Sequence, residues 1–450
     1  MSATFRGINQ IEVSRYKSIK NLNVEFGAIT VLAGANSSGK SSMMQPLLLM
    51  KQTLDMNSNS ALLLQGKNVD LTSFEQIRTR VSGSENDSFS VRVQVGNFSA
   101  QSTFTGNEDE IFLDSTHYYF VDQTPEGKNR EIELSRHTPL DKLREWVVRT
   151  YSGFERIEEG DCPFHPHLGA CFHGISYKQI EGNEPTISPV LRPSEFFVQP
   201  DIQGIIHLPG LRDNPQRRDK KVSLEQQPYF RECFPKYTAS VVASWEPQNN
   251  GKHAELLRCL NEMRLATDIK TEIRGSNHIE LMVSRLVPQR DTDSNDDSAD
   301  DFVSIADVGF GVSQALPIIT SLIVAQENQI VYVEQPETHL HPYAQIGLVR
   351  AIINAAYRGV KVVVETHSAT FLLALQTMIA ETISDNQSLL HDKIHLYWFY
   401  QDKYGVTHHD YRVMEENGTF GDWIVDFSNV TMDLQMRFME AFDIRENGKN

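Results

Sequence analysis

The chain has 450 residues, 40% of them hydrophobic, and a formal net charge of −17. Its length and apolar content support a large core and more than one lobe, while its acidity excludes nucleic-acid binding through bulk charge, so any DNA contact needs a local basic patch or a basic partner. No apolar run reaches the roughly 18 residues of a membrane span, the N-terminal stretch lacks a secretory apolar segment, and four cysteines make no disulfide framework, which together point to a reducing, cytoplasmic setting.

In chain order, the first strong signal is Ala28–Ser42, AITVLAGANSSGKSS. Ile29–Ala33 is a β-branched and aliphatic run, as a buried parallel strand requires. Gly34–Ser41 then fits G-x-x-x-x-G-K-[ST]. The glycines let the backbone wrap tightly, so that several N–H groups converge on phosphate oxygens. Lys40 reaches the β/γ-phosphates, and the Ser41 hydroxyl can ligate Mg²⁺. The helix predicted over Ser41–Asp55 turns its positive N-terminus toward the same anion. Pro46 removes one of its hydrogen bonds and predicts a kink.

Phe89–Glu133 holds alternating stretches, FSVRVQV and STHYYFV, that read as antiparallel strands with one wet face. Leu140–Ser152 reads as an amphipathic helix. Residues 136–200 read as an insertion that could carry partner specificity. It contains Cys162, His165, His167, Cys171 and His173, which zinc would accept, but the spacing is no standard finger and prolines crowd it, so scattered loop residues are the better reading. Arg212, Arg217, Arg218, Lys220 and Lys221 form the main basic cluster, which reads equally as a phosphate contact or a solvated loop. Arg290–Asp301, RDTDSNDDSADD, reads as a solvated acidic loop.

Ile305–Gln326, IADVGFGVSQALPIITSLIVAQ, places a Gly-Phe-Gly turn before Ser313 and Gln314 at the predicted start of an apolar helix, again an anion-binding arrangement or a simple N-cap. Gln329–Pro342, QIVYVEQPETHLHP, is a second buried-strand run, Ile330–Val333, with two carboxylates at its C-terminal end, where open α/β sheets hold ligands. Glu334 is placed to hold Mg²⁺ directly or through water, and Glu337 to orient or deprotonate an attacking water. A third run, KVVVETHS over Lys361–Ser368, brings His367 to the same sheet edge, where it could sense a γ-phosphate or cap the following helix.

In this order the four elements resemble the ABC-type ATPases of the RecF, SMC and OLD superfamily, and the wording of Asp307–Gln314 and Glu334–Pro342 is similar to bacterial AAA-family ATPases with DVGFGxSQ and EQPExHLHP motifs. Ile206–Arg218, IHLPGLRDNPQRR, resembles that group's GPLR segment, and Gly418–Trp423 its C-terminal closing strand pair. The resemblance spans roughly residues 8–78 and 200–430. It implies an α/β ABC-type P-loop ATPase with a mixed sheet, an antiparallel β subdomain and an inserted middle segment. The halves of the ATPase would be residues 1–135 and 201–450.

The resemblance further implies ATP and Mg²⁺ as ligands. Gly34 and the residues Asn36, Ser37, Ser38, Gly39, Lys40, Ser41 and Ser42 would cradle the triphosphate, with Ser41 and Glu334 on the metal and Glu337 as catalytic glutamate. Gly311, Ser313 and Gln314 would stand in for the LSGGQ signature, reaching the nucleotide of a second subunit. The full signature wording is absent, and Gln65 and Gln76 both remain open as the Q-loop residue. The implied role is a switch ATPase whose ATP-driven self-association acts on DNA or on a partner effector such as a nuclease, often in anti-phage defence. The alternative is an OLD-type nuclease or a repair ATPase acting directly on DNA. The stretch after His367 shows no TOPRIM-like acidic strand motifs, and the inserted middle argues against a transporter subunit.

Overall fold

The computed structural model describes residues 5–56, 60–79, 88–107, 110–121, 130–150, 164–167, 169–181, 184–187, 191, 193–225, 228–245, 251–284, 302–384 and 390–421. The acidic stretch Arg290–Asp301, Cys162 and Trp423 lie outside them.

Among the described residues a twelve-stranded mixed sheet organises the fold. Its parallel half runs in space as Ile206–Leu208, Ile330–Glu334, Lys361–Thr366, Ile29–Gly34 and Ile394–Gln401. The uninterrupted apolar runs are strands buried on both faces. On Ile29–Gly34, Ile29, Val31 and Ala33 enter one core cluster and Leu32 the other. Val331 and Val333 divide from Ile330 and Tyr332 in the same way. Helices on both faces are what such runs require. One core is closed by helices Phe310–Val324, Pro342–Tyr357 and Ala369–Ser384, the other by Lys40–Asp55, which continues through Pro46.

The second half of the sheet is mostly antiparallel. Thr407–Val413 pairs with Ile394–Gln401 and touches Ile19–Glu25, and the order continues through Ile8–Tyr16, Ser88–Val95, Phe98–Gly106, Ile111–Phe120 and Arg130–Ser135. The predicted alternation is visible on Ser88–Val95, where half-buried Arg92 and Gln94 separate buried Val91, Val93 and Val95. A smaller sheet joins Asp219–Lys220, His278–Ser284, Ile269–Arg274 and Phe302–Ser304.

Between residues 136 and 200 lie the helix Leu140–Thr150, a three-stranded sheet and the short helices Pro193–Phe197 and Gln199–Gln203. Phe164, Cys171, Phe172, Ile175, Val198 and Ile202 are buried in the core that holds the Lys40–Asp55 helix. Cys171 and His173 are therefore core residues: the Cys171 thiol reaches the Met50 carbonyl at 3.7 Å, and His173 Nδ1 lies 3.2 Å from Thr116 Oγ1. Among the described residues no group of three or more His, Cys, Asp or Glu is arranged to hold a metal, and no helix is long and apolar enough to cross a membrane.

Of Gly418–Trp423 only residues 418–421 are described, and they hold no strand. The antiparallel pair that closes the parallel half of the sheet is Ile394–Gln401 with Thr407–Val413, and Gly418, with φ 81°, sits so close to the Gln376 carbonyl that a Cβ would lie 2.7 Å from it. A left-handed glycine against a neighbouring backbone marks a turn more readily than a strand.

Candidate nucleotide site

The loop after Ile29–Gly34 turns on positive φ values, 138° at Gly34, 61° at Ser37 and 101° at Gly39. Space also demands the two glycines: a Cβ at Gly34 would stand 2.2 Å from the Phe399 carbonyl oxygen, and one at Gly39 2.5 Å from Thr407 Oγ1. That Thr407 hydroxyl lies 2.8 Å from Ser18 Oγ and 3.0 Å from the Ser38 carbonyl, so the closing strand pair clamps the loop from outside. Lys40 is 3% exposed, and its ammonium donates to the carbonyls of Gly34 at 3.1 Å and Ala35 at 2.7 Å. Burial pushes its pKa down, opposed by the charges of Glu365 and Glu337. A buried cation resting on loop carbonyls is poised to exchange them for phosphate oxygens.

Strand order decides which acidic groups meet the loop. Lys361–Thr366 lies beside the P-loop strand, Ile330–Glu334 one strand further out, and Glu334 pairs with Glu365 in register. Ser41 Oγ donates to Glu365 Oε1 at 2.8 Å, and the buried Tyr332 hydroxyl donates to Glu365 Oε2 at 2.9 Å. Burial and then the Glu334 charge push the Glu365 carboxyl above the usual range. Glu334 instead faces the outer strand, its Oε1 3.1 Å from His207 Nε2 and its Oε2 accepting from the Gly210 N–H at 3.0 Å. Burial raises its pKa, but His207 and Gly210 outweigh that and hold it below the ordinary value.

Glu337 Oε1 accepts from the His367 N–H at 2.8 Å, while its Oε2 is buried without a partner among the described residues. The His367 ring is pushed down by burial and then by the Lys40 charge. Asn36, Ser37, Ser38, Gly39, Lys40, Ser41, Ser42, Glu365 and His367 line one open cleft of about 850 Å³, a size suited to a small-molecule ligand. Gln76 lines this cleft as well, whereas Gln65 lines a different cavity.

The signature segment is arranged differently from its sequence reading. The helix begins at Phe310, with Gly309 at the cap position, so Gly311, Ser313 and Gln314 lie within its first turns. Ser313 does not cap it: its hydroxyl donates back to the Phe310 carbonyl at 2.9 Å. Gln314 is 3% exposed and faces inward, its Oε1 accepting from Arg212 Nε at 2.9 Å. Arg212 also donates to the carbonyls of Pro209, Glu334 and Gln335 at 3.2–3.3 Å, and burial pushes its pKa down to about 10. It packs against the backbone at the end of the Ile330–Glu334 strand and lines a cavity separate from the P-loop cleft, while Arg217 on the exposed loop pairs with Asp307 at 2.7 Å.

Glu365, His207 and Tyr332 were not singled out from the sequence. Glu365 carried a readable signal, a carboxylate at the polar end of an apolar strand run two residues before His367. His207 and Tyr332 carried none, because a histidine and a tyrosine inside strands read as core.

A P-loop strand, its neighbour ending in the Glu365–His367 turn, a next strand ending in Glu334, and a large mixed sheet with an antiparallel arm and an inserted segment define an ABC-type P-loop ATPase fold. Within the chain, residues 210–374 match the family described as "AAA domain, putative AbiEii toxin, Type IV TA system". No curated protein matches the sequence significantly. Among solved structures, the chain is similar to an SMC head bound to the C-terminal winged-helix domain of ScpA (11% identity, TM-score 0.42, covering 91% of this chain and 98% of that one). It is also similar to the SMC head domain from Thermotoga maritima (10% identity, TM-score 0.34, covering 91% and 99%). A third is a Pyrococcus furiosus SMC head with an extended coiled coil bound to the C-terminal domain of ScpA (8% identity, TM-score 0.39, covering 97% and 99%). The class rests on the strand order, the P-loop and the family match.

Proposed function

We propose that the chain is an ATP-hydrolysing switch whose ATP-bound form associates with a second copy. One observation carries the reading: a single cleft is lined by a P-loop lysine, a P-loop serine on a carboxylate, and His367, whose N–H holds Glu337 with one buried oxygen that has no partner among the described residues. Phosphoryl transfer to water asks for positioning and charge stabilisation, and these groups supply both. Lys40 and the loop N–H groups of Asn36–Ser42 bind the phosphates. Glu337, fixed through Oε1 by the His367 N–H, turns its free Oε2 to a water and takes its proton. His367, which lines the same cleft as Lys40, orients the γ-phosphate end.

The hard oxygen donors at Ser41 and the neighbouring carboxylates suit Mg²⁺, which when bound neutralises charge on the β- and γ-phosphates. Ser313 and Gly311, on the first turn of the signature helix, are the groups offered to a partner's nucleotide. A partner effector is favoured over direct DNA contact, because Arg212 is turned inward and Arg217 is paired with Asp307. A defence role in the cytoplasm accords with the toxin–antitoxin wording of the matched family. The deciding measurement is phosphate release from ATP by the purified chain, with and without Mg²⁺. Release no faster than that of a Lys40→Ala protein would overturn the reading.

A further inference from the structure

We infer that Glu365 is the carboxylate that meets the divalent cation, and that Glu334 acts behind it as a fixed anion; the inference rests on the nucleotide reading above. Lys361–Thr366 lies beside the P-loop strand and Ile330–Glu334 one strand further out; a carboxylate at the end of either strand is long enough to approach the loop, so the observed side-chain contacts decide between them. Glu365 touches Ser41, the hydroxyl of the phosphate-binding loop that the metal needs, and is 4% exposed. Both Glu334 oxygens are held from the opposite side, by His207 and by the Gly210 N–H.

The Ser41–Glu365 geometry is also that of a metal edge. Mg²⁺ binds six oxygens at about 2.0–2.1 Å in an octahedron, so neighbouring ligand oxygens lie about 2.9 Å apart. Ser41 Oγ and Glu365 Oε1 are 2.8 Å apart. A cation can therefore replace the hydrogen bond between them without either side chain moving far. Tyr332 fixes the other carboxylate oxygen at 2.9 Å and sets the direction of Oε1. Glu334, opposite Glu365 in register, adds negative charge that favours a divalent cation without reaching it.

The test measures ATP affinity by calorimetry with Mg²⁺ and with chelator, and Mn²⁺ binding in the presence of ADP by electron paramagnetic resonance. For Glu365→Gln the tightening of ATP binding by Mg²⁺ should shrink about tenfold or more, with Mn²⁺ affinity falling in parallel, as when a metal's carboxylate partner is lost. ATP affinity in chelator should stay at the wild-type value. Glu334→Gln should keep most of the metal response. Should Glu365→Gln misfold, Glu365→Asp, which withdraws the carboxylate by one methylene, replaces it with the same expected loss. A wild-type metal response in either Glu365 variant, or its loss in Glu334→Gln alone, overturns the assignment. A wild-type chain that binds no ATP under either condition overturns the nucleotide reading and this inference with it.

Discussion

Arg212 donates from Nε to Gln314 Oε1 at 2.9 Å, and from its other nitrogens to the carbonyls of Glu334 and Gln335 at 3.3 Å. One guanidinium thus joins the end of the strand that carries Glu334 to the first turns of the Phe310–Val324 helix, which is proposed to meet a second copy. Arg212→Lys keeps the charge but loses the fork that spans both elements. ATP binding should stay within about threefold of wild type, because Arg212 touches no P-loop residue, while stability falls by about 2 kcal/mol from the buried acceptors left unpaired. ATP-dependent self-association should weaken. Denaturant unfolding and light scattering check this, and unchanged association in a folded variant would remove the coupling role.

Lys40→Ala should abolish measurable ATP binding. Hydrogen bonds from a charged donor contribute roughly 1.5–3 kcal/mol each, so losing the ammonium lowers affinity by about a hundredfold or more. Calorimetry with ATP and Mg²⁺ reads it, and undiminished affinity would sink the P-loop assignment.

Glu337→Gln should keep ATP bound and stop hydrolysis. The amide can still accept from the His367 N–H, but it cannot take a proton from water. A positioned base contributes roughly 10²–10⁴-fold, so turnover should fall by at least about a hundredfold. A wild-type rate would make Glu337 a bystander.

Ser313→Arg should block assembly and hydrolysis while leaving ATP binding by one chain intact, because Ser313 lies on the surface turn and its hydroxyl only bonds back to Phe310. Glu337→Gln should do the reverse and trap the assembled form. Molar mass in solution with and without ATP decides: a Glu337→Gln protein monomeric at saturating ATP counts against the clamp.

Acid should act on the inserted segment through His173. It is 0% exposed, burial pushes its pKa down to about 4, and Nε2 has no partner among the described residues. The unfolded imidazole takes up its proton near pH 6.5, whereas the folded one stays neutral until about pH 4. Stability is therefore complete above pH 6.5 and is lost as pH falls toward 4, by about 3 kcal/mol at most. His173→Leu should flatten the pH dependence of denaturant unfolding over that window; an unaltered slope would refute it.

The amino-acid sequence by itself determined the parts of the site that are contiguous in the chain. Gly34–Ser42 needs its glycines and lysine at fixed spacing, and uninterrupted apolar runs ending in Glu334 and His367 announce strands whose polar ends carry chemistry. Local patterning sufficed there because backbone conformation and burial on both faces are properties of short segments. Tertiary structure alone decided which residues meet. The strand order set Lys361–Thr366 between the P-loop strand and Ile330–Glu334, and so brought Glu365, and not Glu334, to Ser41. It also turned Arg212 inward from a stretch that reads as a basic loop, and buried Gln314, which the resemblance offered to a second subunit's nucleotide. Such pairings join residues about a hundred to over three hundred positions apart, and no periodicity within one segment encodes them, because they depend on which faces of separate elements must be covered together.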